Sequence, residues 1–239
     1  MTGILLAAGV GSRMRPLTDH RPKCLLPVGH QSLLPRTLSA LQSAGLAECV
    51  LVTGYLQPLV EEAVRSLGLA MPVRFVHNEK YATTNNNYSL WLAGRETDDN
   101  SILLLDADIL FDPHLLHLLL ASPVPDALLM REDDRLGAEE IKVSLDGPYV
   151  RQIGKAITPS RAAGESIGIE MFSRETARQL FRVLDRRKEQ DEFYEASFQE
   201  IIDRGARIAA ISTQGLPCME IDTPDDLRMA SALALTLGL

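Results

Sequence analysis

The strongest constraint on the fold is a repeated change of hydrophobic period along the chain. Residues 4–8 form a short apolar run that stops at Gly9, as a buried strand feeding a tight turn would. Residues 32–44 (SLLPRTLSALQSA) place apolar side chains at helical spacing and end before Gly45, a natural helix stop. Segments 49–53, 56–67 and 73–77 repeat the order strand, helix, strand. Residues 87–93 then read as a helix, and 102–105 as the most apolar strand. Asp112-Pro113 predicts a helix to about residue 121, with the acid at the N-cap and the proline in the first turn. Such alternation implies a parallel, three-layer sheet, whose ligands bind beyond the carboxyl ends of the strands. Gly9 onward and the Asp106/Asp108 pair both fall there.

Past residue 125 short strand-like runs (127–131, 141–145, 149–153, 166–172) follow one another with little helix between, which predicts an antiparallel edge. Helices return at 174–188 and 194–204, strands at 207–212 and 217–221, and a last helix from 224. No repeat, low-complexity tract or long linker interrupts the pattern, so one domain over 1–239 is expected. The 239 residues, 46% hydrophobic and 23% charged, suit a single substantial core. A net charge of −8 argues against a general nucleic-acid binder or an anionic-membrane binder. No apolar stretch nears the 18 residues or so needed for membrane insertion. The start (MTGILLAAGVGS) has no charged region before its apolar run and reads as a strand rather than a signal peptide. Cys24, Cys49 and Cys218 lack metal-like spacing, and an odd number fits reduced thiols in a cytoplasmic protein.

Residues 6–27 read LAAGVGSRMRPLTDHRPKCLLP. A strand followed by glycines leaves backbone N–H groups free to hold an anion, and Arg13, Arg15 and Lys23 add charge suited to a polyphosphate. A dinucleotide G-x-G-x-x-G fails here, because Met14 stands where the third glycine belongs and Pro16 and Pro22 break the following segment. A Walker A loop fails for want of Gly-Lys-Ser/Thr.

Leu6-Ala7-Ala8-Gly9-x-Gly11-x-Arg13-Met14-x-Pro16-Leu17-Thr18, followed by Pro22-Lys23-x-Leu25-Leu26-Pro27-Val28, resembles the signature of the sugar-phosphate-type nucleotidyltransferases. The resemblance implies a three-layer α/β/α Rossmann-like nucleotidyltransferase fold with a mixed, mostly parallel sheet and an antiparallel edge. It divides the chain into a nucleotide-binding half (1–125) and an acceptor-binding half (126–239). Leu6, Ala7, Ala8, Gly9, Gly11 and Ser12 then wrap the nucleotide, while Arg13 and Lys23 act catalytically by neutralising charge at the phosphates. Loss of Lys23 is expected to lower turnover far more than stability.

Residues 78–92 (NEKYATTNNNYSLWL) look like the phosphocholine cytidylyltransferase branch and its relative acting on 2-aminoethylphosphonate. The N-[DE]-[KR]-Y-A opening, which includes Tyr81, and the close at Tyr88-Ser89-Leu90 carry that likeness. Thr84, Asn85, Asn86 and Ser89 offer donors and acceptors suited to a base edge. The plainer reading is a turn and helix cap. By resemblance, Asp108 of Asp106-Ala107-Asp108 and Asp222 of Glu220-Ile221-Asp222 bind Mg²⁺. Asp222 has an alternative role as N-cap of the last helix. Asp106 is either structural or a ribose contact.

Family positions put Lys155, Glu165, Tyr194 and Glu195 on the acceptor side, although most of the Tyr194-Phe198-Ile201-Ile202 stripe reads as core. Glu139, Glu140 and Lys142 at a strand start read as solvated rather than catalytic, and alternation can send only some of them inward. A quaternary ammonium calls for an aromatic cage, yet residues 126–171 hold Tyr149 alone, so a primary amine on Glu165 or Glu195 fits as well. The expected partners are CTP and a small phosphorylated acceptor. Two alternatives stay open: a sugar-1-phosphate nucleotidylyltransferase using UTP, dTTP or GTP, and a catalytically silent nucleotide sensor. Helices at 174–204 or the apolar end (ALALTLGL) could pair two copies as a homodimer; burial within one copy fits equally.

Overall fold

The computed structural model describes residues 1–132, 136–189 and 191–238. Its first half alternates as the sequence predicts, with a small hairpin and the short strand β7 added that the sequence reading did not include: β1 (Thr2–Ala7), the hairpin β2 (Pro27–Val28) and β3 (Gln31–Ser32), α1 (Leu33–Ser43), β4 (Glu48–Thr53), α2 (Gln57–Arg65), β5 (Val73–His77), α3 (Asn86–Gly94), β6 (Ile102–Asp106), β7 (Ile109–Phe111) and α4 (His114–Leu120). The second half contributes β8 (Ala127–Arg131), β9 (Lys142–Asp146), β10 (Tyr149–Gly154), β11 (Gly164–Phe172), α5 (Arg174–Arg187), α6 (Glu195–Asp203), β12 (Ala209–Ser212), β13 (Cys218–Glu220) and α7 (Pro224–Leu237).

One nine-stranded sheet runs in the order β5-β4-β1-β6-β11-β8-β12-β10-β9. Strands β5, β4, β1 and β6 are parallel, and of the nine only β11 and β10 run against the rest. The expected antiparallel edge therefore contains one parallel pair, β8 with β12. A parallel pair needs a crossover, and α5 and α6 supply it. Strand β9 pairs with both β10 and the start of β11, so the far edge curls back on itself.

Alternation along the strands explains the three layers. Leu5, Leu51, Leu103 and Leu105 face Leu34, Leu38, Val60, Val64, Leu115 and Leu119 of α1, α2 and α4. Their neighbours Ile4, Leu6, Val50, Val52 and Leu104 face Leu90, Leu180, Leu184 and Phe198 of α3, α5 and α6. Strands buried on both faces read as continuous apolar runs, which is what 4–8 and 102–105 do. A third cluster seats α7 through Ala230 and Ala234 against Met14, Val28 and Leu110. Met229, Leu235 and Leu237 of α7 remain exposed. The final Leu239 of the ALALTLGL stretch lies outside the described residues.

Two caps differ from the sequence reading. Pro113 itself precedes the first residue of α4, one place later than expected, while the Asp112 carboxylate still accepts from the His114 N–H at 2.9 Å. The N-cap of α7 is Thr223, in a capping box with Asp226, rather than Asp222. That substitution of roles leaves the Asp222 carboxylate for other work. Among the described residues no helix is long and apolar enough to cross a membrane.

Candidate active site

Beyond the carboxyl ends of β1 and β6 the chain encloses a cavity of 430 Å³. Gly11 sits at φ 63°, which opens the loop after β1. Its carbonyl accepts from the Thr18 hydroxyl at 2.9 Å, so the loop is closed by its own side chain. All the expected nucleotide positions line this cavity: Leu6, Ala7, Ala8, Gly9, Gly11, Ser12, Arg13 and Lys23 on one side, Tyr81, Thr84, Asn85, Asn86 and Ser89 on the other, and Asp106 at the floor.

The asparagine-rich segment forms the expected helix cap and also lines the cavity. Asn85 caps α3, accepting from the Asn86 N–H at 2.9 Å, and Asn86 accepts from the Tyr194 N–H at 2.9 Å. Asn78, not singled out by the sequence, donates to Thr84 Oγ1 at 3.2 Å and Ser89 Oγ at 3.0 Å. Asn87 turns the other way and donates to the Arg187 carbonyl at 3.1 Å.

At the cavity floor Lys23 Nζ lies 2.6 Å from Asp108 Oδ2 and 2.8 Å from Asp222 Oδ1, and Arg13 Nη2 lies 2.7 Å from Asp222 Oδ2. Burial alone would lower the Lys23 pKa, but the two carboxylates outweigh it and hold the ammonium firmly charged. Asp222 is itself partly withdrawn from water, and Lys23 and Arg13 nonetheless keep its carboxyl below the usual range. Glu220 is the residue the sequence reading missed. It stands two places before Asp222, on the same face of an extended segment, so period-two alternation was the available signal. Withdrawal from water, then the charges of Asp108 and Asp222, push it up to about 8.

Asp108, Glu220 and Asp222 each offer an oxygen, and these oxygens lie within 4.8 Å of one another. The Asp108 Oδ1 atom is buried without a hydrogen-bond partner. An all-oxygen donor set that already draws in an ammonium fits a hard divalent cation.

A second cavity, of 390 Å³, opens on the far side of that acidic group and shares Arg13, Asn86, Asp106, Asp108, Phe193, Glu220 and Asp222 with the first. Three of the four expected acceptor residues line it: Lys155, Glu165 and Glu195. Lys155 Nζ is 3.1 Å from Glu139 and 4.8 Å from the Phe193 ring centre, and Glu165 meets Arg131 at 2.6 Å. Glu195 is 7% exposed, and its Oε2 has no hydrogen-bond partner. Burial pushes its carboxyl up to about 7. The fourth, Tyr194, lies beneath the cavity instead of on it. Fully buried against Phe198, it donates its hydroxyl to Asp106 Oδ2 at 2.8 Å. Of Glu139, Glu140 and Lys142 it is Lys142 that is buried, along with Val143 beside it, so both faces of β9 are covered at its start.

A glycine loop, a cationic pair and an acidic group at the strand ends of this fold define a nucleotidyltransferase. The chain belongs to the family of the MobA-like NTP transferase domain, whose profile matches residues 3–199. It is 34% identical over 239 residues to the CMP-5'-(3-aminopropyl)phosphonate synthase of Streptomyces rubellomurinus, across 95% of this chain and 38% of that protein. The chain thus spans little over a third of that relative's length. It is 28% identical over 232 residues to the choline-phosphate cytidylyltransferase of Streptococcus pneumoniae, across 95% of this chain and 96% of the relative. The solved structure of CTP:phosphocholine cytidylyltransferase from Streptococcus pneumoniae shares the fold, with TM-score 0.79, 24% identity, and 97% and 98% of the two chains covered.

Proposed function

We propose that the chain is a magnesium-dependent cytidylyltransferase that moves CMP from CTP onto a small amino-alkyl phosphonate or phosphate and releases pyrophosphate. The observation that carries this reading is the acidic seam shared by two cavities, where a nucleotide along the glycine loop and an acceptor from the β11 side would meet. In this reading the loop N–H groups of residues 9–12, with Arg13 and Lys23, hold the polyphosphate. The segment 81–89 takes the base.

The acceptor brings its own phosphonate or phosphate oxygen, largely dianionic near neutrality, so no strong protein base is required. That oxygen attacks the α-phosphorus of CTP in line. The bond from the α-phosphorus to the bridging oxygen breaks, and pyrophosphate departs with the electron pair. Arg13 and Lys23 bring the like-charged reactants together and stabilise the charge that gathers on the leaving group. Asp108 and Asp222, with Glu220 beside them, would hold Mg²⁺, which when bound adds positive charge at the phosphate oxygens.

Acceptor preference follows from Glu195. A buried carboxylate with one unpartnered oxygen suits a primary ammonium, which donates charge-assisted hydrogen bonds. A quaternary ammonium wants several aromatic faces. Among the described residues lining this cavity Phe193 is the one aromatic side chain, and Lys155 already stands over it. The aminopropylphosphonate product named for the Streptomyces relative supports the same choice. Three buried free thiols suit a cytoplasmic setting, where CTP is made.

The test is pyrophosphate release with Mg²⁺, crossing CTP, UTP, ATP, GTP and dTTP against 2-aminoethylphosphonate, 3-aminopropylphosphonate, phosphocholine, glycerol phosphate and sugar 1-phosphates. Turnover confined to CTP with an amino-alkyl acceptor is expected. Turnover of a sugar 1-phosphate with another base would overturn the reading.

A further inference from the structure

Lys142 opens β9 with 1% of its surface exposed, yet no carboxylate among the described residues lies at salt-bridge distance from it. Its ammonium instead donates to the carbonyls of Gly137 at 2.9 Å and Glu140 at 3.1 Å. Burying a cation without a counterion is costly, and an apolar side chain of the same length would fill this space without that cost. What the ammonium adds is a hold on two carbonyls of a loop that has no helix or strand of its own. The Glu140 carboxylate ties the same loop from the other side, accepting from the Gly137 N–H at 2.7 Å.

That loop is one wall of the second cavity. Glu139 and Glu140 both line it, and Glu139 holds Lys155 in place over Phe193. Across the sheet, Lys142 is the register partner of Glu165, a further lining residue. Lys142 itself does not reach the cavity. It sits where the loop, β9 and β11 join, one step behind three side chains that do reach it.

We propose that Lys142 is a positioning residue, which pins residues 137–140 so that Glu139 can hold Lys155 against the acceptor. The proposal rests on the acceptor reading of this cavity given above, and its structural half can be tested without turnover. Lys142→Met keeps the volume and removes the ammonium. Glu140→Ala removes the acceptor of the Gly137 N–H, loosening the same loop, and serves where the first variant does not fold.

With 2-aminoethylphosphonate as probe, Lys142→Met is expected to raise the acceptor KM by about tenfold or more while leaving the CTP KM within about twofold. Amide exchange at residues 137–141 should quicken by about tenfold, with α1 unchanged. Glu139→Gln should give a similar acceptor defect, and the double variant should be no worse than either single one, as for residues acting in one chain of contacts. Unchanged exchange at 137–141 would overturn the proposal, as would a parallel rise in both KM values. If the wild-type enzyme used no amino-alkyl acceptor, the functional reading would fall, while the exchange measurement would still decide whether Lys142 pins the loop.

Discussion

Lys23 has two duties that a sequence motif merges into one. Its ammonium lies between Asp108 and Asp222, so truncation leaves Asp108 without its counter-charge and Asp222 with Arg13 alone. Lys23→Ala is therefore expected to lower kcat by about a hundredfold or more, and also to lower the Tm of the metal-free protein. Added Mg²⁺ should restore much of that Tm, which a thermal melt with and without the ion would show. Glu195→Gln is expected to raise the KM for 2-aminoethylphosphonate by at least about tenfold and leave the CTP KM alone, which steady-state kinetics with each substrate varied would check. Arg13 and Lys23 are singled out by a local motif and Asp108 and Asp222 by family resemblance, and the structure brings the four side chains together. Tyr194 and Lys142 were not legible. Whether an aromatic or a lysine faces a cavity, the core or a loop carbonyl depends on strand register and on contacts some 88 residues apart, as between Tyr194 and Asp106.

The longer helices and strands were readable to within a few residues, because each carries its own period, whereas β2, β3 and β7, two or three residues each, are too short to show one. The joints between them were less so. Gly54 directly follows β4, and a Cβ there would stand 2.5 Å from the Ala8 carbonyl and 2.6 Å from Tyr81 Cβ. It lets the two walls of the nucleotide cavity approach each other, and nothing in its neighbourhood along the chain announces this. Gly54→Ala is expected to destabilise the fold by about 1–3 kcal/mol and raise the CTP KM, whereas Gly45→Ala, with open space around it but φ 80°, should affect stability alone. Denaturant melts together with nucleotide titration separate the two outcomes. Thr223 makes the same point at a helix end. Asp-Thr-Pro-Asp announces a helix start, but only the folded chain shows that Thr223 caps it and releases Asp222.

At the scale of the whole molecule, the inner ends of the two cavities concentrate buried acid. Burial raises Asp106, Glu170 and Glu195 alike; Asp108 adds to the rise at Asp106, and Asp106 and Glu195 add to the rise at Glu170. Glu195 is held at about 7 against an ordinary value of 4.5. Between those values the unfolded chain has already released a proton that the native protein keeps. The stability from this group is therefore fully present below about pH 4.5 and lost as the pH rises through 7. The metal-free protein should melt lower at pH 8 than at pH 6, and Glu195→Gln should flatten that slope by up to about 3 kcal/mol over the full window. The division between the cavities has a historical corollary. The glycine loop and segment 78–89 supply most of one chamber, and the other draws on residues 139–168 together with Phe193 and Glu195 at the entry to α6. Under the proposed function, a lineage that exchanges its acceptor would have to alter two separate stretches of gene, 139–168 and the turn into α6 that carries Glu195, while the first chamber is inherited intact.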